Sequence, residues 1–597
     1  MGGKKFMRYK LRSIVAVALF IFWLASISSF ALAKTDEVVS NSADWRDVYS
    51  SIIYANLIGA SNHFLTSTPH GPILLFEIPK NREGIQIITS ADKPFYVGYE
   101  SLMTSKGYSN VEELIFSQSN LELAKRLPTE IDRFIVLDDA YGYNALAVAP
   151  FAAKAKYYVL FANSRNIGEI SDFLSTKTLK SIILYGQLDR EVKAALARYN
   201  PETINSESGS RFENNMKIVD KYSEIGNIKQ VILTNGEFIE SSMMSGDEAV
   251  IFIGKNNVPQ EIKDYINSRG VDIGVLIGNE LIGSATDIRR QLGISVFVKF
   301  ARGSRVPGGS INPVEDLDRF PMPSYQLSLS IVSISYNKAT GLLEVTYKNN
   351  VDLAAYFKST ITVRNANGET IVTDGDAGII FIDGGETKTI TYNRTRGIDP
   401  AQLNGELTGE IYTIYGESKT SLENVLRGTF KIEMIEVMDN TDIEIIDLVY
   451  DKNRGIFYVT IENTGKVDAY VSAELIDLWI NGEYVTVASD EIFKIAVGQK
   501  KDIPIKIALA EEDLLDKKNS EIDVLARFGE RMHALINSKT KSFSLKFREG
   551  TMWYYGVLFV VIILLLLLLI RRRKRCPRCR TMNKKDATIC RKCGHQL

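Results

Sequence analysis

An uncharged apolar run near the carboxyl end constrains this chain more than any other feature. It covers nineteen consecutive residues, Met552 to Ile570, and the basic segment Arg571 to Arg575 follows at once. In a helix, at about 1.5 Å per residue, such a run spans the hydrocarbon core of a bilayer. Residues 552–570 therefore predict a transmembrane helix. Because basic residues beside a span favour the cytoplasmic side, residues 571–597 are predicted to be cytoplasmic.

The start of the chain predicts the same topology. Basic residues precede an apolar stretch, Ile14 to Leu24, and small residues then end at Ala33. This order is typical of a secretory signal peptide, so residues 1–33 are predicted to be cleaved off. An uncleaved first span is the alternative, and either version places residues 34–551 outside the cell.

Cysteine placement fits this topology and predicts a metal site. All four cysteines lie in the last 22 residues, so the predicted outer segment has none and must be stable without disulfides. They form two Cys-x-x-Cys pairs, and two such turns facing each other supply the tetrahedral four-sulfur shell of zinc. We predict structural zinc bound by Cys576, Cys579, Cys590 and Cys593. A closed shell leaves no position for a catalytic water, and metal binding provides the folding energy of so short a module.

The tail resembles the short zinc ribbons of prokaryotic, and especially archaeal, membrane proteins in its Cys-Pro-x-Cys and Cys-x-x-Cys-Gly turns. Its basic residues, from Arg571 to Lys592, favour a stop-transfer anchor with a soluble cap, with anionic lipid or nucleic acid as the alternative partners. Because the whole chain has a formal net charge of -1, nucleic acid is not expected as its main partner.

Residues 45–302 have the pattern of alternating strands and helices. Short β-branched runs are separated by helix-length segments with apolar spacing, which predicts parallel sheets covered by helices. The predicted strands include Ile131–Leu137, Tyr157–Phe161, Ser181–Tyr185, Gln230–Thr234, Ala249–Ile253 and Ile273–Ile277.

This region also repeats itself. Phe134–Leu188 and Val231–Leu281 are similar to one another, and a fainter copy precedes them, with Tyr54–Leu57 leading to Pro72–Phe76. Duplicated units favour function in shared surfaces over function in one unique catalytic pocket. We therefore predict three pseudo-equivalent α/β units.

Two segments, Asn144 to Ala153 and Val159 to Phe161, resemble the signature of the type 2 cell-wall-binding repeats, which runs Asp-Ala-Leu, small residues, proline and an apolar strand. Gly209 to Glu213 is similar to the Arg-Tyr-Glu element of that family, and Leu276 to Gly278 to its strand end. The resemblance covers residues 45–302. It implies three α/β units in a pseudo-threefold module that attaches surface proteins to anionic wall polymers.

The sequence departs from the family's pattern at several of these positions. The family's aspartate appears here as Asn144 and Glu240, with Asn56 as its counterpart in the faint copy, and the threonine after Arg-Tyr-Glu is Asn214. The resemblance therefore implies the architecture better than it implies polymer binding.

No catalytic constellation is evident in this region. His63 and His70 have no carboxylate or cysteine at ligand spacing, and Gly278–Gly283 lacks the G-x-G-x-x-G spacing of a dinucleotide site. Asp138 and Asp139 follow a predicted strand, where they either hold a cation or form a turn. We predict no catalytic residues and no enzymatic activity.

A linker rich in proline and glycine, residues 303–325, separates this region from an all-β part. Period-2 alternation bounded by Asn, Asp and Gly predicts strands over Leu327–Phe430 and Ile443–Phe547, and these two segments repeat each other. We predict two tandem β-sandwiches, residues 326–432 and 441–548.

A Val-Thr-Ile-Glu-Asn-Thr-Gly motif from Val459 and a later hairpin at Trp479 to Glu483 resemble the immunoglobulin-like cell-adhesion-related domains of prokaryotic surface proteins. Such domains are usually spacers or adhesive modules. The resemblance implies a stalk in preference to a ligand-binding domain.

Together these features predict a multidomain chain: three α/β parallel-sheet units, two all-β immunoglobulin-like sandwiches, one transmembrane helix and a zinc ribbon. The expected function is that of a non-enzymatic cell-surface protein, which displays the α/β region on a stalk for envelope structure, adhesion or binding of a glycan or polymer. The alternative is a single-pass receptor-like protein whose ribbon recruits a cytoplasmic protein partner.

Overall fold

The computed structural model describes residues 34–302, 316–324, 326–398, 402, 405–548, 552–571 and 573–597. The predicted signal peptide, 1–33, lies outside the described residues, as does 303–315 of the predicted linker. The chain divides into two compact units. The first ends at Val437 and includes Asn481–Tyr484, and the second comprises Met438–Ile480 and Val485–Leu597.

Three four-stranded parallel sheets follow one another in the first unit. The first contains β1 (Glu37–Asn41), β2 (Ser61–Phe64), β3 (Ile85–Ser90) and β4 (Val111–Phe116). The second contains β5 (Arg133–Leu137), β6 (Tyr158–Phe161), β7 (Ser181–Tyr185) and β8 (Glu202–Ile204). After β9 (Gln230–Thr234) and the short β10 (Phe238–Ile239) come β11 (Ala249–Phe252), β12 (Ile273–Ile277) and β13 (Ser295–Lys299); all but β10 form the third sheet.

The three sheets have the same strand order. It runs β2-β1-β3-β4 in the first, β6-β5-β7-β8 in the second and β11-β9-β12-β13 in the third. The prediction of repeated parallel α/β structure is confirmed. The first and last residues of each predicted strand lie within two residues of those in the structure. Below, the three sheets and their helices are called the head.

Ten helices are described in the head: α1 (Trp45–Ile58), α2 (His70–Leu74), α3 (Tyr99–Ser105), α4 (Ser119–Arg126), α5 (Tyr143–Ala155), α6 (Ile167–Ser175), α7 (Arg190–Leu196), α8 (Arg211–Ser223), α9 (Gln260–Arg269) and α10 (Ala285–Leu292). Three 3₁₀ turns accompany them, Ala197–Tyr199, Ser241–Met244 and Asn279–Ser284. Side-chain caps fix two helix starts: Asp44 accepts from the backbone N–H of Arg46, and Ser210 from that of Glu213.

One continuous apolar core joins the three sheets. The segments that follow the first strand of each sheet, namely α1, α5 and the turn Ser241–Met244, contact one another. Tyr49 Oη donates to the carbonyl of Ala145 at 2.7 Å, and Asn56 Nδ2 donates to that of Met244 at 2.7 Å. Because these inner segments bury their surfaces against each other, the three units depend on one another for their cores.

The faint first copy differs from its prediction. Tyr54–Leu57 lies in the last turns of α1, and Pro72–Leu74 lies in α2. The strand that begins this unit is β1, which precedes residue 45. All five of its residues are buried although three are polar, so its sequence shows little of the apolar pattern of a buried strand.

The described part of the predicted linker packs on the head. β14 (Phe320–Pro321) pairs antiparallel with β10, and Phe320 and Met322 are buried. Met322 N also donates to the carbonyl of Glu237 at 2.9 Å. Phe320 also packs on Phe64 of the first α/β unit, and the carbonyl of Pro323 accepts from Gly142 N of the second, so residues 316–324 contact all three α/β units of the head.

Two more sheets of the first unit share one apolar core and form a first β-sandwich. The bounds are β15 (Leu329–Asn337), β16 (Leu342–Asn349), β17 (Ala355–Arg364), β18 (Thr370–Gly375), β19 (Ile380–Ile382), β20 (Thr387–Tyr392), β21 (Thr408–Gly416), β22 (Asn424–Lys431) and β23 (Glu433–Ile435). The orders are β20-β16-β15-β23 and β18-β17-β21-β22, with β19 on β17. The described pairs are antiparallel except β15 with β23.

The chain from Ile443 to Ser544 forms a second pair of sheets around its own core. Its strands are β24 (Ile443–Asp451), β25 (Ile456–Asn463), β26 (Ala469–Ile480), β27 (Glu483–Ala488), β28 (Phe493–Ile495), β29 (Lys500–Lys506), β30 (Glu521–Gly529) and β31 (Asn537–Ser544), and α11 (Glu511–Leu515) lies between β29 and β30. The orders are β24-β25-β29 and β27-β26-β30-β31. The predicted change from parallel α/β sheets to antiparallel β-sheets is thus confirmed.

The two β regions repeat each other in detail. The β15–β16 pair has a register shift between Ile331 and Ser333, and the β24–β25 pair has one between Ile445 and Asp447. Asn349 and Asn463 hold the same position in the two repeats, and both are the buried last residue of a strand.

The predicted membrane segment coincides with a helix, α12 (Met552–Arg571). The side chains described in it are those of 558–567. Among the described residues, no helix has the length and apolarity needed to cross a membrane.

Candidate functional site

The tail folds into a small ribbon with two similar turns. β32 (Arg573–Arg575) pairs antiparallel with β33 (Met582–Lys584). In the first turn Arg580 N donates to the carbonyl of Cys576 at 2.9 Å, and in the second Gly594 N donates to that of Cys590 at 2.9 Å. Arg580 and Gly594 both have left-handed backbones, with φ of 57° and 67°. Each Cys-x-x-Cys pair is therefore held on the same kind of tight turn.

The four predicted cysteine ligands come together in this ribbon. The Sγ atoms of Cys576 and Cys593 are 3.6 Å apart, those of Cys579 and Cys590 are 3.5 Å apart, and all four lie within 4.8 Å of one another. A tetrahedral ion with metal–sulfur distances of 2.3 Å would separate its sulfurs by about 3.8 Å. The residues therefore fit a four-thiolate metal site of zinc's size.

Asn583 links the two turns and was missed in the sequence. Its side chain is buried, Nδ2 donates to the carbonyl of Thr581 at 2.9 Å and lies 3.6 Å from Cys590 Sγ, and Oδ1 accepts from Arg591 N at 3.0 Å. A buried amide that touches a metal-ligating sulfur orients that ligand. Its sequence signal is weak, because asparagine in a short polar turn is common.

Hydrogen bonding favours the thiolate form that a metal requires at two of the four cysteines. Backbone N–H groups of Lys592 and Cys593 lower the pKa of Cys590 to about 6. The hydroxyl of Thr581, 3.2 Å from Cys579 Sγ, lowers the pKa of Cys579. The backbone N–H of His595 lowers the pKa of Cys593, but hydrogen bonding with the other cysteines and burial raise it by more, to about 12. Cys590 and Cys579 are thus more readily converted to thiolates than Cys593 before any charge from an ion is added.

In the head, the residues at the family's aspartate position serve internal contacts. Asn144 lies against Gly186, where an added Cβ would come within 2.6 Å of its Nδ2. Glu240 is buried and pairs with Lys299 and with Arg319, whose Nε lies 3.3 Å from Glu240 Oε2. Asn56 occupies the end of α1 rather than its start, so it is not the counterpart of Asn144, and that assignment is corrected.

The arginine of the Arg-Tyr-Glu-like element is also used within the first unit. Arg211 is buried between the head and the first β-sandwich, where it pairs with Glu417 and lies 3.5 Å from Glu423 Oε1. Its guanidinium also lies 4.4 Å from the ring centroid of Tyr143. Burial lowers the pKa of Arg211, but the two carboxylates raise it by more. This arginine is therefore an internal contact and is not displayed on the surface.

Asn214, the departure at the family's threonine, is internal as well. It is buried, and its Nδ2 donates to Asn205 Oδ1 at 3.0 Å.

One histidine has a partner that the sequence did not indicate. His63 Nε2 lies 3.2 Å from Glu37 Oε2, and Arg82 Nε lies 2.5 Å from the other oxygen of this fully buried carboxylate. Glu37 is distant in sequence but adjacent in the sheet, because Glu37 and Ser61 pair in β1 and β2. His70 Nδ1 lies 3.2 Å from Thr66 N.

Asp138 and Asp139 take part in local bonding. Asp138 accepts from Ala140 N at 2.7 Å, and burial raises the pKa of its carboxyl. Asp139 accepts from Arg46 at 2.7 Å and from Asn163 at 3.2 Å. Within the part of the chain that the structure describes, the cysteine cluster is the one group of three or more metal-binding side chains within reach of a common ion.

A polar cleft of about 450 Å³ lies between the first and second sheets of the head. Its walls come from residues after the carboxyl ends of β1, β3, β4, β5 and β6, the edge where parallel sheets bind ligands. Lining side chains include Asp44, Arg46, Asp92, Lys93, Gln118, Asp139, Asn163 and Arg165. The sequence marked Asp139 as a strand-end residue but could not show which other strand ends face it.

Arg46 ties the two walls of the cleft together. It donates to both oxygens of Asp44, at 2.9 and 2.6 Å, and to Asp139 at 2.7 Å. The burial of Asp44 raises its pKa, but its hydrogen bonds from Arg46 outweigh this and lower the pKa below its usual range. Deeper in the cleft, burial raises the pKa of Asp47, which accepts from Ser42 Oγ at 2.7 Å.

No protein-family model matches this chain, and no curated protein matches it. Among solved structures it is similar to Cwp6 from Clostridium difficile, with 15% identity over 39% of this chain and 39% of that chain and a TM-score of 0.32. It is also similar to Cwp8 from Clostridium difficile, with 13% identity over 44% and 48% and a TM-score of 0.35. The chain thus spans less than half of either, and likenesses at these TM-scores establish neither a shared fold nor a shared function.

Proposed function

We propose that this chain is a non-enzymatic, membrane-anchored cell-surface protein whose α/β head binds a glycan of the cell envelope. The two β regions, which we assign to the immunoglobulin-like class, serve as its stalk. A zinc ribbon closes the cytoplasmic end, with Cys576, Cys579, Cys590 and Cys593 as ligands of a structural ion.

The membrane anchor is proposed on the sequence. Nineteen uncharged residues precede a basic cluster, and the helix α12 lies at the same place. The cysteine-free segment before it fits an oxidising exterior, and the cysteine-rich tail fits the reducing cytoplasm.

The polar cleft of the head is the observation that carries the binding function. Amide, hydroxyl, carboxylate and guanidinium groups converge there at the carboxyl ends of five parallel strands. Such a mixture of donors and acceptors suits the hydroxyl groups of a saccharide. The motif residues Asn144, Arg211 and Glu240, by contrast, are committed to contacts inside the protein.

The charge of the cleft selects the ligand class. Four carboxylates line it, those of Asp44, Asp47, Asp92 and Asp139, against three cations, those of Arg46, Lys93 and Arg165. An anionic wall polymer would meet no excess of positive charge here. We therefore propose a neutral glycan and not the anionic polymer that the family resemblance implies.

Co-sedimentation with isolated cell envelope tests this function. The cysteine-free segment 34–548 should be retained by the envelope, and added neutral oligosaccharide released from that envelope should compete, whereas polyphosphate should not. Loss of retention is expected for Arg165→Ala combined with Gln118→Ala, because both exposed side chains line the cleft.

Arg289→Ala is the matched control, since Arg289 is an exposed arginine on α10, outside the residues that line the cleft. Retention that survives the double substitution, or that polyphosphate abolishes, would contradict binding of a neutral glycan in this cleft.

A further inference from the structure

The ribbon carries a concentration of unpaired positive charge. Eight lysine and arginine side chains between 574 and 597 are described, and all are exposed: Lys574, Arg575, Arg578, Arg580, Lys584, Lys585, Arg591 and Lys592. Asp586 is the one acidic residue in that range. Among the described residues, no salt bridge joins any of these eight cations to a carboxylate, whereas exposed lysines and arginines elsewhere form such pairs, as Lys125 does with Glu122.

The ribbon begins almost at the end of the apolar helix. α12 ends at Arg571 and β32 begins at Arg573, so a single residue separates the two elements. At about 3.5 Å per residue, the chain allows the first residue of the ribbon, Arg573, to lie no more than roughly 7 Å beyond the helix end. That is within the Debye length of about 8 Å at physiological ionic strength.

The fold keeps the basic segment close to this boundary. Pairing of β32 with β33 places Arg573 opposite Lys584 and Arg575 opposite Met582, so the segment after the helix is one edge of the ribbon. A concave patch beside it is lined by Met582, Lys584, Asp586, Ile589 and Arg591, so two cations outnumber one carboxylate there, and Ile589 is 60% exposed. Cations around an exposed apolar side chain are typical of a surface that lies on a membrane.

We propose that the ribbon docks on the anionic headgroups of the membrane leaflet into which α12 inserts. The proposal rests on the membrane anchor proposed above. A second copy of the ribbon would meet the same positive charge and be repelled, and the tether of one residue gives the lipid surface a large advantage in local concentration over any free anionic partner. Each cation near an anionic leaflet strengthens the attraction about fivefold.

The test uses the full chain in nanodiscs, either purely phosphatidylcholine or with phosphatidylglycerol added. Amide hydrogen exchange of residues 576–597 and the rate of zinc loss to a chelator should both be slower in the anionic discs. Raising the salt concentration should remove the difference, because the attraction is electrostatic. In the double variant Lys584→Glu with Lys585→Glu, the factor by which anionic discs slow amide exchange and zinc loss should fall at least twentyfold.

The control is Lys338→Glu with Lys348→Glu, which makes the same charge change at exposed lysines of the first β-sandwich and should leave the tail unaffected. Zinc stoichiometry shows whether each variant ribbon is folded. If the ribbon of Lys584→Glu with Lys585→Glu is unfolded, the salt dependence of exchange in the wild type decides whether the ribbon docks on anionic lipid.

Equal exchange in neutral and anionic discs would overturn the proposal, and so would tight binding of a labelled RNA together with no effect of lipid. Failure of the chain to enter discs at all would instead contradict the membrane anchor, so the two failures are distinguishable.

Discussion

At the scale of single residues, the side chains of buried asparagines hold loop segments together by hydrogen bonds. Asn583 connects the two turns of the ribbon, while Asn349 and Asn463 close equivalent loops of the two β regions. An amide suits these places because it has two donors and an acceptor and carries no charge to desolvate. The motif Val-Thr-Ile-Glu-Asn-Thr-Gly contains its asparagine for this reason.

Substitution of Asn583 tests its role in positioning a metal ligand. Asn583→Ala removes the hydrogen bonds to Thr581 and Arg591, so zinc affinity should fall about 10- to 100-fold in competition with a calibrated chelator. Lys585→Ala, an exposed change in the same ribbon, should leave the affinity unchanged. Equal affinities of the two variants would show that Asn583 does not hold the site.

The two loop asparagines should be equally important to stability. Asn349 donates to the carbonyls of Leu353 and Asp383, and Asn463 donates to those of Val467 and Ile495, all within 3.0 Å. Alanine at either position removes both hydrogen bonds and should cost about 2–4 kcal/mol in urea unfolding of the segment 34–548. Asn350→Ala, at an exposed neighbour, should change stability by less than about 0.5 kcal/mol. A loss confined to one of the two loops would contradict their equivalence.

At the scale of elements, the contact of α8 and α9 with the first β-sandwich is polar and buried. At the start of α8, Arg211 pairs with Glu417 and Glu423, which lie between β21 and β22. Ser421, in the same segment, bonds to Ser210 of the helix start and to Glu261 of α9. The first sandwich is thus fixed to the head by ion pairs and hydroxyl groups. This part of the proposed stalk is an extension of the head and not a free spacer.

Removal of the buried arginine should weaken this contact strongly. Arg211→Met leaves Glu417 and Glu423 without their cation, and the loss of one partner of a buried pair costs about 3–5 kcal/mol. Urea unfolding of segment 34–548 measures it. Adding Glu417→Gln to Arg211→Met should restore part of the loss, because it removes the carboxylate that pairs with Arg211. If the double variant is no more stable than the single one, the cost does not come from the unpaired carboxylate.

The same contact makes stability depend on pH. Burial raises the pKa of Glu261, whose Oε1 accepts from Ser421 at 2.9 Å, to about 7 from its ordinary 4.5. A raised carboxyl pKa adds stability that is complete below about pH 4.5 and is lost as the pH rises through 7. The corresponding free energy is about 3 kcal/mol as an upper limit. Burial likewise raises the pKa of Glu423, to about 8, which extends the loss to higher pH.

Glu261→Gln should therefore flatten the decline in unfolding free energy between pH 5 and 8. Glu433→Gln, at an exposed glutamate of β23, is the control and should keep the wild-type slope. An unchanged slope in Glu261→Gln would show that this carboxyl does not hold its proton in the folded protein.

At the scale of the whole molecule, the chain is a series of segments of different physical character. Parallel sheets with a common core are followed by antiparallel sheets, an apolar helix and a module that depends on metal. A common core makes the head one folding unit. The ribbon, with too few residues for a core, should unfold when its ion is removed.

Truncation before α12 separates these properties. A chain ending at residue 548 should be released from the cell surface when competing neutral oligosaccharide is added, whereas the full chain stays in the membrane fraction, because only the full chain has the proposed anchor. Its head should keep the envelope binding of the full chain. Four serines in place of the cysteines should abolish zinc binding but leave the chain in the membrane fraction. Membrane retention of the truncated chain would contradict the anchor.

The sequence was sufficient to predict the features that depend on residues close together in the chain. Strand positions from Gln230 to Thr234 or from Ser181 to Tyr185 follow from short β-branched runs, and the cysteine cluster follows from two Cys-x-x-Cys pairs on tight turns. The sequence did not predict β1, because three of its five buried residues are polar and the strand lacks an apolar pattern. Its position depends on pairing with β2 and β3.

The tertiary structure alone decided which distant residues meet. Arg46 reaches Asp139 across 93 positions, Arg211 reaches Glu417 across 206, and the cleft collects the ends of five strands from two sheets. The sequence spacing of charged residues does not predict which of them pair, because the pairing depends on how packed sheets and helices bring remote segments together. Arg211, in the segment that resembles the Arg-Tyr-Glu element, is for this reason an internal contact, which no local pattern predicts.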